Sequence, residues 1–255
     1  MPVTAVTGSA SGIGAAVSKV LVEAGHRVIG IDRANADVNA DLSTPAGRDT
    51  AITKVLTQCD GLLDGLICCA GLGVTAPDSG LIISVNYFGV TSLVDGLQPA
   101  LEKSEAPAVL IIGSVAANQQ LANRDEIVPL LLDGDETAAL ELASKSGQPH
   151  IAYSASKYAV TVYARQKAVE YGKKGIRINV VAPGAVETPL HQASLDDPRF
   201  GEAVKNFVAP IGRAGNPEEI ADVVAFLQSE KASFIHGSVF FVDGGMDAMV
   251  RSQAF

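Results

Sequence analysis

The stretch Val3-Thr4-Ala5-Val6-Thr7-Gly8-Ser9-Ala10-Ser11-Gly12-Ile13-Gly14 decides how the rest of the chain is read. A short strand-like run ends in a loop with glycines at 8, 12 and 14, and Val17, Val20 and Leu21 behind it recur at helical spacing. A strand that turns through glycines into a helix gathers free backbone N–H groups and the positive end of the helix dipole at one point, which favours a pyrophosphate. The spacing is G-x-x-x-G-x-G rather than G-x-G-x-x-G, so a tight turn without a ligand is the competing reading. The loop residues expected at the phosphates are Gly8, Ser11, Gly12, Ile13 and Gly14.

Working outward, residues 26–31 read as a second strand, and Asp32 stands at its end, 18 positions after Gly14. An acid there bonds ribose hydroxyls and repels the extra phosphate of NADP, so the expected cofactor is NAD, with NADP disfavoured. Arg33 beside it softens that preference. Asp41 and Leu42 follow a further strand-like piece and would flank an adenine, or Asp41 is a turn acid before the Thr44-Pro45 helix start; both readings stay open.

The pattern then alternates. Residues 62–70, 108–113, 176–182 and 239–242 read as strands, and 45–58, 82–101 and 153–173 as helices. Asn216-Pro217-Glu218-Glu219 is a helix start, with a capping Asn, Pro in the first turn and Glu three residues on. Strands such as Val109-Leu110-Ile111-Ile112 are continuous apolar runs, which means burial on both faces. The expected fold is α/β, a doubly wound parallel seven-stranded Rossmann-type sheet with helices on both faces, as a single domain over residues 1–255. Ligands of such sheets bind beyond the carboxyl ends of the strands, so the residues just after each strand matter most.

Composition sets the outer limits. Of 255 residues, 47% are hydrophobic and 18% charged, which excludes a disordered chain. The net charge of −9 argues against nucleic acid or an anionic membrane surface as a main partner. Cys59, Cys68 and Cys69 are odd in number and two are adjacent, so free thiols in a reducing compartment are expected. No signal peptide is recognised at the start, and no apolar run is read as long enough to span a bilayer. A cytoplasmic protein is expected. The four histidines show no metal-ligand spacing, so no metal is expected.

Tyr153-Ser154-Ala155-Ser156-Lys157 places a phenol and an ammonium four residues apart on one helix face. An isolated Tyr, with a pKa of about 10, is a poor base at neutral pH. A nearby ammonium favours the phenolate and makes Tyr153 a usable acid/base for an alcohol–ketone pair. Ser114 closes the strand 108–113 and could hold a carbonyl, or cap a turn. Asn86 sits among Ile, Val and Phe neighbours in a helical stretch, which favours a buried role over a solvent-facing one.

Taken in order, Thr7-Gly8, Gly12-Ile13-Gly14, Asp32, Asp41, Ala70-Gly71, Asn86, Ser114, Tyr153 with Lys157, Pro183-Gly184 with Thr188, and Gly237 with Val242-Asp243-Gly244-Gly245 resemble the short-chain dehydrogenase/reductase family over essentially the whole chain. Val85-Asn86-Tyr87-Phe88-Gly89, residues 182–190 and the tail Asp243-Gly244-Gly245-Met246-Asp247-Ala248 are most similar to its bacterial 3α-hydroxysteroid dehydrogenase/carbonyl reductase branch. The resemblance implies reversible hydride transfer between NAD(H) and a bulky hydrophobic secondary alcohol or ketone, a 3α-hydroxysteroid or a xenobiotic carbonyl compound among them. It implies Tyr153 as acid/base and Lys157 lowering its pKa and bonding the nicotinamide ribose. Ser114 would orient the carbonyl, and Asn86 would hold a water that relays protons. Ala70, Gly71, Pro183, Gly184, Val186 and Thr188 would line the cofactor, with Thr188 on the carboxamide. Two other readings are a dinucleotide-sensing binding protein without catalysis and a dehalogenase. The presence of Tyr153, Lys157, Ser114 and Asn86 together disfavours the first; the glycine loop and Lys157 disfavour the second.

Three departures stand out. Cys68-Cys69 replaces the family's Asn-Asn before Ala70-Gly71. Asn86 follows Gly71 by only 15 positions. Between Ser114 and Tyr153 lie 38 residues, and the extra piece, residues 119–148, is acidic yet contains Ile127-Val128-Pro129-Leu130-Leu131-Leu132. Short helices are expected there, either as an apolar lid that also covers the face used for tetramers, or as a spacer without substrate contact. Leu190, Leu195, Phe200 and Phe207 are expected to add apolar wall. A homodimer through the last strand and the helix after Asn216 is expected.

Overall fold

In the computed structural model, which describes residues 1–119 and 124–253, β1 (Val3–Thr7) is the point from which the sheet grows both ways. It is followed by α1 (Gly12–Glu23), β2 (Arg27–Asp32), β3 (Val38–Asn39), α2 (Pro45–Gln58) and β4 (Gly65–Cys68). Next come α3 (Ser79–Ile83), a π-helical turn (Ser84–Phe88), α4 (Gly89–Leu101), β5 (Ala108–Ile112) and a 3-10 turn (Val115–Asn118). Then follow α5 (Arg124–Leu132), α6 (Glu136–Ser146), α7 (Pro149–Gly172), β6 (Arg177–Pro183), α8 (Pro189–Asp196) and α9 (Gly201–Asn206). The chain ends with α10 (Pro217–Gln228), a 3-10 turn (Glu230–Ala232), β7 (Val239–Val242) and α11 (Met246–Val250).

The seven strands form one parallel sheet in the order β3-β2-β1-β4-β5-β6-β7, as the apolar runs predict. β1 pairs with β2 on one side and β4 on the other, so the connections diverge there and open a crevice. Thr7 is in register with both Ile31 and Cys68, Cys68 with Ile111, and Ile112 with Val181. The strands therefore finish level, and the loops after β1, β2, β4, β5 and β6 emerge along one edge. Two apolar clusters cover the faces: one joins β4 and β5 to α4 and α7, the other joins the sheet to α1 and α10.

Several boundaries differ from those the sequence suggests. The helix expected from 82 starts at Ser79, because Asp78 caps it by accepting from Gly80 N–H (2.8 Å) and Leu81 N–H (3.3 Å). Its course is interrupted by the π-helical turn that carries Asn86. The helix expected from 153 starts at Pro149, whose fixed φ suits the first turn, so Tyr153 lies one full turn inside. The expectation about apolar runs is also corrected: Ser79–Leu101 is long and apolar enough, by length and composition, to cross a membrane. Its apolar faces are spent on the core, with 78% of the window buried.

The described part of the insert forms two helices, α5 and α6. Ile127, Val128 and Leu131 of α5 are buried with the core that α7 covers, and Ala139 and Ala143 of α6 pack in the same cluster. Glu136 at the start of α6 pairs with Arg48 of α2, whose side chain is only 3% exposed. Arg48 also donates to Thr44 O at 3.2 Å. Residues 120–123 of the insert lie outside the described residues.

Candidate active site

Along the level strand edge runs a cleft of about 600 Å³. Its floor begins at the glycine loop. Gly8 has φ +69° and its N–H donates to Ile31 O at 2.8 Å. A Cβ there would stand 2.9 Å from Ala70 N, so the loops after β1 and β4 lie against each other only because residue 8 is glycine. A Cβ at Gly14 would come within 2.1 Å of Gly8 O, so the first turn of α1 sits directly on the loop. Ala70 N–H is held by Thr7 Oγ1 at 2.9 Å.

Asp32 accepts from Ala10 N–H (3.1 Å) and Arg33 N–H (2.7 Å), which fixes its carboxylate at the wall of the cleft. Asp41 accepts from both the N–H and hydroxyl of Ser43, and these bonds hold its carboxyl below the usual range. Asp41 thus serves as a turn acid and lines the cleft at once.

The reacting groups meet further along. Ser114 follows β5 and caps the 3-10 turn by accepting from Ala116 N–H at 3.1 Å. Its side chain hydrogen-bonds Tyr153, which favours the phenolate, while burial pushes the phenol's pKa up more strongly. α7 is tied to that turn by Ser154 Oγ, which donates to Ala116 O at 2.8 Å. Lys157 Nζ donates to Ile112 O at 2.7 Å and stands 6.0 Å from the centre of the Tyr153 ring. Burial lowers its pKa to about 8, with the sulfurs of Cys69 and Cys68 acting in the opposite direction. Burial in turn pushes the Cys69 thiol up to about 12.

Gly8, Ser11, Gly12, Ile13, Gly14, Asp32, Arg33, Asp41, Leu42, Ala70, Gly71, Ser114, Tyr153, Lys157, Pro183, Gly184, Val186 and Thr188 all line this one cleft. Asn86 does not. It is fully buried behind the wall, accepting from Leu72 N–H (2.7 Å) and donating to Leu72 O (3.0 Å) and Ser156 Oγ (3.3 Å). Ser156 Oγ donates to Tyr153 O at 2.7 Å, so Asn86 links the loop after β4 to the helix of Tyr153.

The apolar wall differs from expectation. Of Leu190, Leu195, Phe200 and Phe207, only Leu190 lines the cleft, and Phe207 is 37% exposed to solvent. Leu195 lies on α8, while Phe200 and Phe207 flank α9, and Val204 and Val74 supply wall in their place. α5 and α6 contribute no lining residue; of the insert's described residues only Gln119 does, which fits a spacer better than a lid. The sequence reading missed His150 and His191, both on the wall. A signal for His150 was present: it precedes Tyr153 by three residues on one helix face.

The chain is similar to proteins of known family. The family model described as short chain dehydrogenase matches residues 2–125, and that described as enoyl-(acyl carrier protein) reductase matches residues 137–247. A 3-alpha-hydroxysteroid dehydrogenase/carbonyl reductase of Comamonas testosteroni is 46% identical over the full length of both chains. A D-threitol dehydrogenase of Mycolicibacterium smegmatis is 32% identical, covering 95% of this chain and 92% of its own. The crystal structure of a 3-alpha-hydroxysteroid dehydrogenase from Pseudomonas sp. B-0831 complexed with NADH superposes with a TM-score of 0.97 at 58% identity, covering 99% of this chain and 100% of its own. The chain belongs to the short-chain dehydrogenase family and is an oxidoreductase.

Proposed function

We propose that the protein transfers hydride reversibly between NAD(H) and a bulky hydrophobic secondary alcohol or ketone, with hydroxysteroids and other cyclic carbonyl compounds as the substrate class. The observation that carries this reading is the convergence of Ser114, Tyr153 and Lys157 on the same cleft as the glycine loop and Asp32. The two relatives named hydroxysteroid dehydrogenases, one of them in complex with NADH, support it.

The residues present fit a dinucleotide. The loop of Gly8, Ser11, Gly12, Ile13 and Gly14 leaves no Cβ at its tightest approaches, so backbone N–H groups and the N-terminus of α1 can face a pyrophosphate. Asp32 would hold the adenosine ribose and disfavour a 2′-phosphate. Leu42 and Asp41 would flank the adenine, and Ala70, Gly71, Pro183, Gly184, Val186 and Thr188 the nicotinamide half. When bound, NAD(H) supplies the hydride acceptor or donor of the reaction.

The chain's own groups handle the oxygen and its proton. Ser114 Oγ orients the substrate oxygen. Tyr153 is held protonated by burial, which suits it to give its proton to a developing alkoxide during reduction. In the oxidative direction, Ser114 and the Lys157 ammonium favour the phenolate that takes the alcohol proton. Asn86 acts through position, keeping Leu72 and the Tyr153 backbone in register.

A homodimer built on β7 and α10 is the assembly that fits best. β7 is one of the sheet's two edge strands, and Phe226 (43%), Phe234 and Phe241 (37%) on α10, in the β7 approach and on β7 itself are exposed. On the other side, α5 and α6 overlie α7 and α3 and obstruct a four-helix contact. Sedimentation velocity tests this: a tetramer joined through α4 and α7 would overturn it. Free cysteines and net charge −9 support a reducing, cytoplasmic setting without nucleic-acid or membrane partners.

The functional test is NADH fluorescence and consumption with a panel of 3-ketosteroids and aryl ketones. Turnover is expected. Binding of NADH with no turnover across the panel would instead favour a sensing role.

A further inference from the structure

The reacting end of the cleft is walled mainly by carbon. Val74, Leu190 and Val204 face it, and beyond Ser114, Tyr153, Lys157 and the Cys69 thiol two imidazoles join them, His150 and His191. Apolar pockets fix ligand orientation through a few placed polar groups. Each imidazole is such a group, and the hydride-transfer machinery uses neither.

The two differ in what holds them. His191 sits in the first turn of α8, and partial burial lowers its pKa while Glu187 acts in the opposite direction. His150 lies in the first turn of α7, on the face that carries Tyr153 one turn later. Its ring is exposed and packs against Phe200 with 6.1 Å between centroids at a tilt of 53°. Phe200 belongs to the segment between α8 and α9, so this contact orients the imidazole from the opposite side of the cleft mouth. Residues three apart on a helix have Cβ atoms roughly 5–6 Å from each other. A substrate whose reacting oxygen is at Tyr153 and Ser114 thus brings atoms beyond the reacting carbon past the imidazole.

Building on the oxidoreductase reading, we propose that His150 is a specificity-determining residue, hydrogen-bonding a second polar group that the substrate carries on the ring adjoining the reacting one. The substrate class is accordingly a fused-ring ketone or alcohol with a distal oxygen, not a plain hydrocarbon ketone. Phe200 holds the imidazole ready, and the carbon wall accepts the rest of the skeleton.

The test uses two fused bicyclic ketones of one skeleton, one with a hydroxyl on the ring distal to the carbonyl and one without, assayed with NADH. Loss of one hydrogen bond to a pocket group costs on the order of tenfold in kcat/KM or more. Wild type is expected to prefer the hydroxylated ketone by about tenfold, mainly through KM. His150→Phe keeps an aromatic contact with Phe200 but removes the polar atoms, so the preference should disappear. His150→Asn restores a donor and acceptor and should recover part of it. His191→Phe should leave the preference in place. Turnover of both ketones without preference, persistence of the preference in His150→Phe, or its loss in His191→Phe instead, each overturns the proposal alone. Turnover of neither ketone or any other carbonyl, with NADH binding intact, overturns it together with the oxidoreductase reading.

Discussion

Lys157 gives its ammonium to the backbone carbonyl of Ile112, 2.7 Å away, and faces Tyr153 only across 6.0 Å to the ring centre. The lysine that the Tyr-x-x-x-Lys spacing pairs with the phenol is anchored first to the end of β5. Both residues stand in a pocket whose burial opposes charge on each.

That burial predicts a pH signature. The pKa of Lys157 is about 8 in the folded chain against an ordinary 10.5. Below pH 8 the ammonium is charged in both states and the folded chain bears the full desolvation cost. Between 8 and 10.5 the unfolded chain binds more protons, so stability rises with pH. Lys157→Met removes this dependence. In urea titrations it should be more stable than wild type at pH 7, by on the order of 1–3 kcal/mol, with the difference shrinking towards pH 10. Turnover should be lost. A gap that widens with pH would contradict the assignment.

Tyr153→Phe should lower kcat by at least about a thousandfold while NADH affinity stays within a few-fold, since the phenol donates the proton but does not shape the glycine loop. Ser114→Ala should cost about a hundredfold, because one oriented donor is lost and Tyr153 loses its partner. Steady-state kinetics with fluorescence titration separates the two effects. Near-normal turnover of Tyr153→Phe would remove it from the acid/base role.

Asp32→Ser should improve NADPH relative to NADH by about tenfold to a hundredfold, because it removes the charge that repels a 2′-phosphate beside Arg33. Part of the effect passes through structure: Asp32 also accepts from Ala10 and Arg33 N–H, so NADH affinity should fall as well. Equal use of both coenzymes by wild type would show that Asp32 does not decide.

Gly14→Ala places a methyl 2.1 Å from Gly8 O, a backbone atom that no rotamer change can clear. The expected outcome is a melting point lower by about 8 °C or more, from a cost of roughly 3 kcal/mol or above, with loss of NADH binding. Differential scanning calorimetry checks it. A variant that melts and binds as wild type would mean that α1 does not abut the loop.

Glu136→Ala leaves the buried Arg48 guanidinium without its carboxylate and should cost on the order of 2–4 kcal/mol. Hydrogen exchange should quicken first in α6, which the pair fastens to α2. If Arg48→Met restores most of the loss in the double variant, the cost lies in the stranded charge; if not, the pair itself supplies the docking energy.

The sequence by itself determined what depends on local order. Continuous apolar runs dictated a parallel sheet covered on both faces, glycines at 8, 12 and 14 marked where a backbone could approach a phosphate, and a four-residue step put Tyr153 and Lys157 on one helix face. These follow from strand and helix periods and from the lack of a Cβ, which any isolated stretch of chain already carries. Only the tertiary structure decided the partners of those groups. The level ends of β5 and β6 put Ile112 O in front of Lys157, the π-helical turn sent Asn86 behind the wall to Leu72 and Ser156, and the pair of Arg48 with Glu136 fastened α6 to α2. Such contacts join residues 14 to 88 positions apart, and their choice rests on how whole elements stack, which no local pattern encodes.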